Sequence, residues 1–274
     1  VRRPDGRVSC VVEHAESVAV RRRILRLPVL RGVVALGESL AIGFRALSVS
    51  ARYASSDEDD EEGTQLSTAS LVVSFVLAIG FAVGIFKVTP SLLTTVLGVH
   101  GTWPFLIVEG VIRIALFVGY LLVLSFIPDL RRVFQYHAAE HKAINALEAG
   151  DPLTPESVQR HSLIHVRCGT AFLLWVMVVA IFVFAFVGRP DLWLLVLSRI
   201  LLLPVIAGIA YEVIRLAGRF GTNPLVRAVL APGLWLQRLT TREPSLDQIE
   251  VAIASLRAVF TSEQTAEVDA RVAA

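Results

Sequence analysis

Four of the six histidines and one of the two cysteines lie in the short segment from His137 to Cys168. The segment opens with an H-x-x-E-H pattern at residues 137–141, the inverted form of the zinc-protease helix. An α-helix turns about 100° per residue, so His137 and His141 share one face and Glu140 lies beside them. Neutral imidazole nitrogens are favoured zinc ligands, and the pattern therefore predicts a divalent metal site with zinc as the expected ion.

Further ligands must come from outside this pattern. His165 and Cys168 form an H-x-x-C pair some two dozen residues later, and Glu148 lies two helical turns after His141. We predict that His137, His141 and His165 are ligands and that Cys168 or Glu148 is a fourth or alternative ligand. Structural zinc sites are usually closed by four ligands, whereas catalytic sites keep one position open for water. The sequence leaves both kinds of site open.

Two residues of this segment are predicted to act on a substrate. Glu140 is not needed as a ligand, so we predict that it is the general base that accepts a proton from an attacking water. We predict that Arg167 stabilises negative charge developing on an oxyanion or a phosphate.

The composition indicates a membrane protein. Hydrophobic residues make up 54% of the 274 residues and the mean hydropathy is +0.64, above the range of ordinary soluble domains. The net charge of +2 does not favour a nucleic-acid partner. Two distant cysteines, Cys10 and Cys168, are too few for a disulfide framework.

Four apolar runs are long enough, or almost long enough, to cross a bilayer as helices: Leu71–Val88, Phe105–Ile127, Ala171–Val187 and Leu192–Ala210. We predict an all-α integral membrane protein with four transmembrane helices, an interfacial helix near Leu30–Ser50, and a small cytoplasmic cap that includes an N-terminal β-hairpin. The connections Thr89–Pro104 and Gly188–Asp191 are expected to be short external loops.

Some charged residues interrupt these runs. Glu109 and Arg113 stand at i, i+4 and are predicted to form a structural ion pair within one helix. Together with Arg199 they also leave a transporter as a weaker alternative, although no internal duplication supports it.

Basic residues predict the orientation. Twenty-two of the twenty-six Lys and Arg residues lie on the side that four crossings would place together, and the positive-inside rule assigns that side to the cytoplasm. Both termini and the His/Glu/Cys region are then cytoplasmic.

The chain divides into six predicted segments. They are a hairpin segment (1–20), an interfacial amphipathic helix with an acidic loop (21–69), transmembrane helices one and two (70–127), the motif region (128–170), transmembrane helices three and four (171–210), and a cytoplasmic C-terminal helical region (211–274). The last contains a capping-box spacing from Ser245 to Gln248, followed by apolar residues at helical intervals up to Phe260.

Several blocks of this sequence resemble the YqhQ family of bacterial membrane proteins. They are Tyr136–Lys142, Leu153–Glu156, His165–Thr170, Tyr211–Gly218 and Pro232–Gln237, and the likeness extends through Arg31-Gly32 and Val1–Val8. The resemblance implies a bacterial inner-membrane protein from a family of unknown function that is described, by prediction alone, as metal-dependent enzymes. It implies that the signature polar residues are His137, Glu140, His141, Glu148, His165, Arg167 and Cys168.

The resemblance also shows two departures. His161 does not belong to the family pattern, which argues against a ligand role. The family usually has a glycine-rich segment upstream of the part that matches Val1, so we expect this chain to be a fragment.

Two functions remain open from the sequence. The first is a metal-dependent hydrolase at the cytoplasmic membrane face, with a peptide or lipid-like substrate. The second is a non-enzymatic membrane assembly or scaffolding protein with a structural metal. The expected partners are the lipid bilayer, a membrane protein or peptide, and a second copy of the chain, with no nucleic acid.

Overall fold

The computed structural model describes residues 22–54, 68–188, 192–220 and 223–260, together with the isolated positions 8, 10, 12 and 18. Every regular element in these residues is helical. The predicted hairpin (1–20) lies outside them except at the isolated positions, and the acidic run Asp57–Glu62 lies outside them entirely.

Ten α-helices are present in the described part of the chain. They are α1 (Leu30–Ala54), α2 (Thr68–Val83), α3 (Thr89–Val96), α4 (Thr102–Ser125), α5 (Pro128–Ala149), α6 (Pro155–Val158), α7 (Gly169–Val187), α8 (Leu192–Arg219), α9 (Pro224–Thr240) and α10 (Leu246–Ala258). A 3₁₀ turn at Arg23–Arg26 precedes α1, and a π-helical turn at Gly84–Val88 joins α2 to α3.

The chain divides into two compact units. The motif unit comprises residues 1–16, 121–172 and 214–274, and it contains the H-x-x-E-H pattern. The apolar unit comprises residues 17–120 and 173–213.

The core of the motif unit is formed where α10 packs against α5. Buried apolar side chains from α5, from the turn that follows it and from α10 make one cluster: Ala139, Ala143, Ala146, Leu153, Val158, Ile249 and Ile253. Small alanines on α5 allow close approach of the bulky isoleucines of α10. The predicted capping box starts α10, with the Ser245 N–H donating to Gln248 Oε1 at 2.9 Å.

The bounds of α5 fix the motif on one rigid element. Pro128 occupies the first turn, where its missing N–H costs no helical hydrogen bond, and Asp129 complements the helix dipole there. Gly150 ends the helix with φ of 76°, a left-handed conformation that glycine adopts without strain. The histidines lie on the face of α5 opposite to the buried alanines.

Three helical stretches of the described residues are long and apolar enough to span a membrane: Val76–Val96, Thr102–Ser125 and Gly169–Val187. They correspond to the first three predicted runs. The fourth run, Leu192–Ala210, lies within α8 and is not among the three, so the count of four spans stays a prediction. α1 covers the predicted interfacial helix, but its placement at an interface is likewise a prediction.

The first of these stretches does not end at Val88 as predicted, because α3 extends helical structure to Val96. Pro90 has no N–H to donate to the carbonyl of Phe86 one turn earlier. The Nε of Arg113 donates to that carbonyl instead, at 2.9 Å. Arg113 also binds Glu109 at 2.6 Å, as the i, i+4 spacing predicts, and both side chains are buried. Within the predicted connection Thr89–Pro104, the residues Thr89–Val96 are therefore helical rather than a loop.

Helices α1 and α8 approach closely within the apolar unit. A Cβ added at Gly32 would lie 2.8 Å from Tyr211 Cβ and 3.0 Å from Gly208 Cα, so only glycine fits there. Beside this contact Arg31 binds the carboxylate of Glu212 through both Nε and a terminal nitrogen. Gly32 thus permits the close packing of α1 on α8, and Arg31 adds an ion pair beside it.

Candidate metal centre

Three side chains from two distant parts of the motif unit converge on one point. His137 and His141 lie one turn apart on α5, with ring centroids 4.3 Å from each other, and Cys168 immediately precedes α7. One ligand atom from each of the three residues lies within 4.8 Å of the other two. This is the arrangement that two imidazoles and a thiolate need in order to share one cation.

Both histidines are oriented by backbone carbonyls. The Nδ1 of His137 lies 2.9 Å from the Thr240 carbonyl, and the Nδ1 of His141 lies 2.6 Å from the Leu163 carbonyl. A carbonyl can only accept, so each Nδ1 carries a proton and each Nε2 is the atom left for the centre. Metal-ligating histidines are typically held in this way, by a hydrogen bond from the nitrogen that does not bind the metal.

Cys168 is paired with His137. Its Sγ lies 3.4 Å from His137 Nε2 and 3.2 Å from Thr170 Oγ1, and the side chain is buried. Burial opposes ionisation of the thiol, but hydrogen bonds from His137, His141 and Thr170 outweigh it and lower the pKa of Cys168 from 9.0 to about 5. Cys168 is therefore a thiolate at neutral pH, the form that binds metal.

The pKa of His137 moves in the complementary direction. Burial alone would lower it, yet the hydrogen bond to Cys168, the one to the Thr240 carbonyl and the negative charges nearby raise it above its ordinary value. The raised pKa of His137 and the lowered pKa of Cys168 both favour an imidazolium–thiolate pair in the absence of a metal. A cation bound by these residues would take the place of the proton that they share.

His165 lies beside this cluster but has partners of its own. Its ring centroid is 5.9 Å from that of His141, its Nε2 is 3.4 Å from Glu148 Oε2, and its Nδ1 accepts from the Arg167 N–H at 3.4 Å. Burial, followed by the neighbouring His141, lowers the pKa of His165, which favours the neutral ring. Both ring nitrogens are thus engaged, and the roles of His165 and Glu148 as ligands stay predictions.

Arg167 and Glu148 form an ion pair at the edge of the site. Arg167 is 56% exposed and Glu148 41% exposed at the side chain, so the pair is accessible to a ligand. The sequence predicted both residues for the site but not that they would bind each other. The remaining histidine of the segment, His161, lies apart from the cluster and pairs with Asp151 at 3.0 Å.

The sequence assigned no role to Gln237, which organises this site from α9. Gln237 is fully buried, its Oε1 accepts from the His165 N–H at 2.9 Å and its Nε2 donates to the His165 carbonyl at 2.8 Å. Three residues later, Thr240 supplies the carbonyl that orients His137. Gln237 belongs to one of the blocks that carry the family resemblance, and this was the one feature of the sequence that could have pointed to it. A lone glutamine on a helix predicts no contact by itself.

Lys142 holds the other side of the motif helix. Its buried ammonium donates to the Gln159 carbonyl at 2.5 Å and lies 2.9 Å from Glu243 Oε1. A buried charge must be paired and hydrogen-bonded to be tolerated. Lys142 therefore ties α5 to the loops at residues 159 and 243 next to the histidines.

The cluster opens into a pocket of about 460 Å³. Its walls combine the polar residues of the site with a few apolar ones, and they are His137, Glu140, His141, Ile144, Leu147, His165, Arg167, Cys168, Gly169 and Leu256. Glu140 is exposed on this pocket, one residue before His141. The pocket therefore holds a carboxylate and a guanidinium beside the three candidate ligands.

Comparison with known proteins places the chain in a family. A family model described as a protein of unknown function (DUF1385) matches residues 27–262. The chain belongs to this family. The uncharacterized protein YqhQ of Bacillus subtilis (strain 168) is 36% identical over 283 residues, covering 97% of this chain and 87% of that relative. No solved structure matches the chain.

Family membership confirms the resemblance seen in the sequence. Because the family description names no reaction, the chemistry of this site has to be argued from its side chains.

Proposed function

We propose that this protein is a metal-dependent hydrolase at the cytoplasmic face of the bacterial inner membrane. The observation that carries the proposal is the convergence of His137, His141 and Cys168, with both imidazoles oriented through Nδ1. The donor set fits a zinc-like ion, which prefers imidazole nitrogen and thiolate sulfur. The distribution of Lys and Arg supports the cytoplasmic face, and the three apolar stretches support the membrane.

An open site favours catalysis over a structural role. Structural zinc usually has four protein ligands, and catalytic zinc has three with one place left for water. Three side chains converge here, while His165 is engaged by Glu148 and by the Arg167 backbone. The pocket of about 460 Å³ lies where a substrate would need to enter.

Each residue then has a role that its position supports. A bound zinc ion would polarise a substrate carbonyl or phosphoryl oxygen and lower the pKa of a water molecule. Glu140, exposed on the pocket, accepts the proton of the attacking water. Arg167 exchanges its contact with Glu148 for the developing negative charge, and Glu148 remains hydrogen-bonded to His165.

Glu140→Gln tests this assignment. Because a positioned general base contributes about 100-fold to 10,000-fold, we expect hydrolysis to fall by at least about 100-fold while zinc content stays unchanged. The measurement uses the zinc-loaded full chain in lipid vesicles with chromogenic ester, phosphodiester and peptide probes. Glu156→Gln, which alters an exposed carboxylate of the same unit outside the pocket, is the matched control.

Full activity in Glu140→Gln would contradict the base role. Zinc-loaded protein that cleaves none of the probes, and that unfolds when zinc is removed, would instead support the assembly or scaffolding alternative with a structural metal.

A further inference from the structure

A second concave surface of the motif unit lies between α9 and the segment before Cys168. It is a groove of about 570 Å³, within the range of small-molecule sites, and its walls are mostly apolar: Ser162, Ile164, Val166, Leu230, Ala231, Leu234, Trp235 and Arg238. None of these residues lines the pocket at the candidate metal centre. The groove is therefore a separate feature from the proposed hydrolase site.

The two surfaces share one wall. Along the segment 164–167, Ile164 and Val166 line the groove, whereas His165 and Arg167 line the metal-centre pocket. Neighbouring residues of this segment therefore line different surfaces, and the segment ends in a turn at Val166 and Arg167. The wall is held in place by Asn145, whose Nδ2 donates to the carbonyls of Ser162 and Ile164 at 2.9 and 3.1 Å.

One residue that lines the groove, Arg238, is basic. Arg238 is exposed on its rim, and no carboxylate of the residues that the structure describes pairs with it. Its guanidinium can therefore donate to an anion such as a phosphodiester. A groove with mostly apolar walls and one guanidinium among them matches an amphiphile with a hydrocarbon chain and a negative head group.

Exposed apolar residues of α9, including the groove residue Trp235, indicate where that amphiphile comes from. Leu225, Val229 and Trp235 are all more than half exposed on this helix. Exposed apolar residues together with a tryptophan and basic residues are typical of helices that lie in a membrane interface. The same chain has three stretches that are long and apolar enough to span a bilayer, and a bilayer would supply the lipid.

We propose that this groove binds an anionic phospholipid of the bilayer. An acyl chain occupies the apolar channel beside Leu230 and Leu234, and the head-group phosphate binds Arg238. The backbone clamp from Gln237 to His165 lies on the same helix, next to Arg238. Lipid bound in this groove thus contacts the helix that orients two histidines of the metal centre.

Photo-crosslinking of the full chain in lipid vesicles tests the site. The probes are phosphatidylglycerol and phosphatidylcholine that carry the same photoactivatable acyl chain, and mass spectrometry locates the labelled residues. We expect phosphatidylglycerol to label the groove walls, and Arg238→Gln to reduce that labelling about fivefold, since a basic residue near an anionic lipid surface contributes about 1 kcal/mol. Leu234→Trp fills the channel and should reduce labelling by both probes.

Arg160→Gln is the matched control, because Arg160 is an exposed arginine of the same unit outside the groove. It should leave labelling unchanged. Equal labelling of the groove by the two lipids, or equal losses in Arg238→Gln and Arg160→Gln, would overturn the proposal. Circular dichroism of each variant distinguishes loss of the site from loss of the fold, and the test does not depend on metal or hydrolysis.

Discussion

Cys168 and His137 form the chemical centre of the site. A thiolate buried beside an imidazolium is stable only while both charges are present, since an unpaired buried charge is costly. The pair therefore keeps the ligand atoms of the metal-free protein close to the places that a cation requires. Thr240 and Thr170 support the two members through one hydrogen bond each.

The lowered pKa of Cys168 predicts how the metal-free protein responds to pH. In a Cys10→Ser background, ultraviolet absorbance of the thiolate should titrate near pH 5 in the folded chain and near the ordinary value of 9.0 in the unfolded chain. Because the folded pKa is the lower one, ionisation of Cys168 stabilises the fold fully above pH 9. The stabilisation declines as pH falls and is lost below about 5.

His137→Ala should raise the folded pKa of Cys168, because it removes the foremost hydrogen bond that lowers it. A titration near 9 in the folded wild-type chain would show that the thiolate is not stabilised as described. Zinc must be removed with a chelator first, since a bound cation would also keep the thiol deprotonated.

At the scale of single residues, the sequence indicated which residues could form the site but not the contacts that hold them in place. The i, i+4 spacing of the histidines on a helix is a local property, so the shared face of His137 and His141 followed from it. The sequence predicted His165 as a ligand and Cys168 or Glu148 as a fourth or alternative ligand, but the position of Cys168 beside the two histidines depends on non-local contacts. Gln237 clamps the His165 backbone and Glu148 engages its ring, and no spacing rule encodes either contact.

At the scale of elements, a glycine on α1 permits the close approach of α1 and α8. Gly32 on α1 meets α8 at a distance that excludes a side chain. A Cβ added at Gly37, farther along the same helix, would meet no atom of the described residues within 4 Å outside its own helix backbone. These two positions have the same residue type and the same helix but opposite surroundings. They provide a matched test of the close approach.

Gly32→Ala should destabilise the protein by about 1 to 3 kcal/mol, because the new methyl group would collide with Tyr211 and the backbone of Gly208. Gly37→Ala should be neutral or stabilising by up to about 1 kcal/mol, since alanine is the better helix former. Thermal unfolding of both variants in the same detergent measures the difference. Equal stabilities for the two variants would contradict the close packing of α1 on α8.

The same scale explains the error at the end of the first apolar stretch. The sequence predicted an apolar run that ends at Val88. The structure continues because Arg113, from another helix, satisfies the Phe86 carbonyl that Pro90 leaves without a donor. This hydrogen bond depends on a contact between two helices, so the local sequence does not predict it.

At the scale of the whole molecule, composition predicted helical structure with long apolar stretches, and the described residues have both. A mean hydropathy of +0.64 and long apolar runs indicated a helical membrane protein, and three stretches of the described residues have the length and apolarity to span. The division into a motif unit and an apolar unit was not predicted. Each unit combines segments that are far apart in the sequence, so the order of the segments along the chain does not predict it.

The central claim is that His137, His141 and Cys168 together bind a cation. Elemental analysis of the purified full chain after zinc loading and removal of free metal tests it most directly. We expect stoichiometric zinc in the wild-type chain and in His161→Gln, whose side chain lies apart from the cluster. Cys168→Ser, nearly identical in shape, should lose the zinc. Zinc retained in Cys168→Ser as fully as in the wild-type chain, or absent from both, would contradict the account.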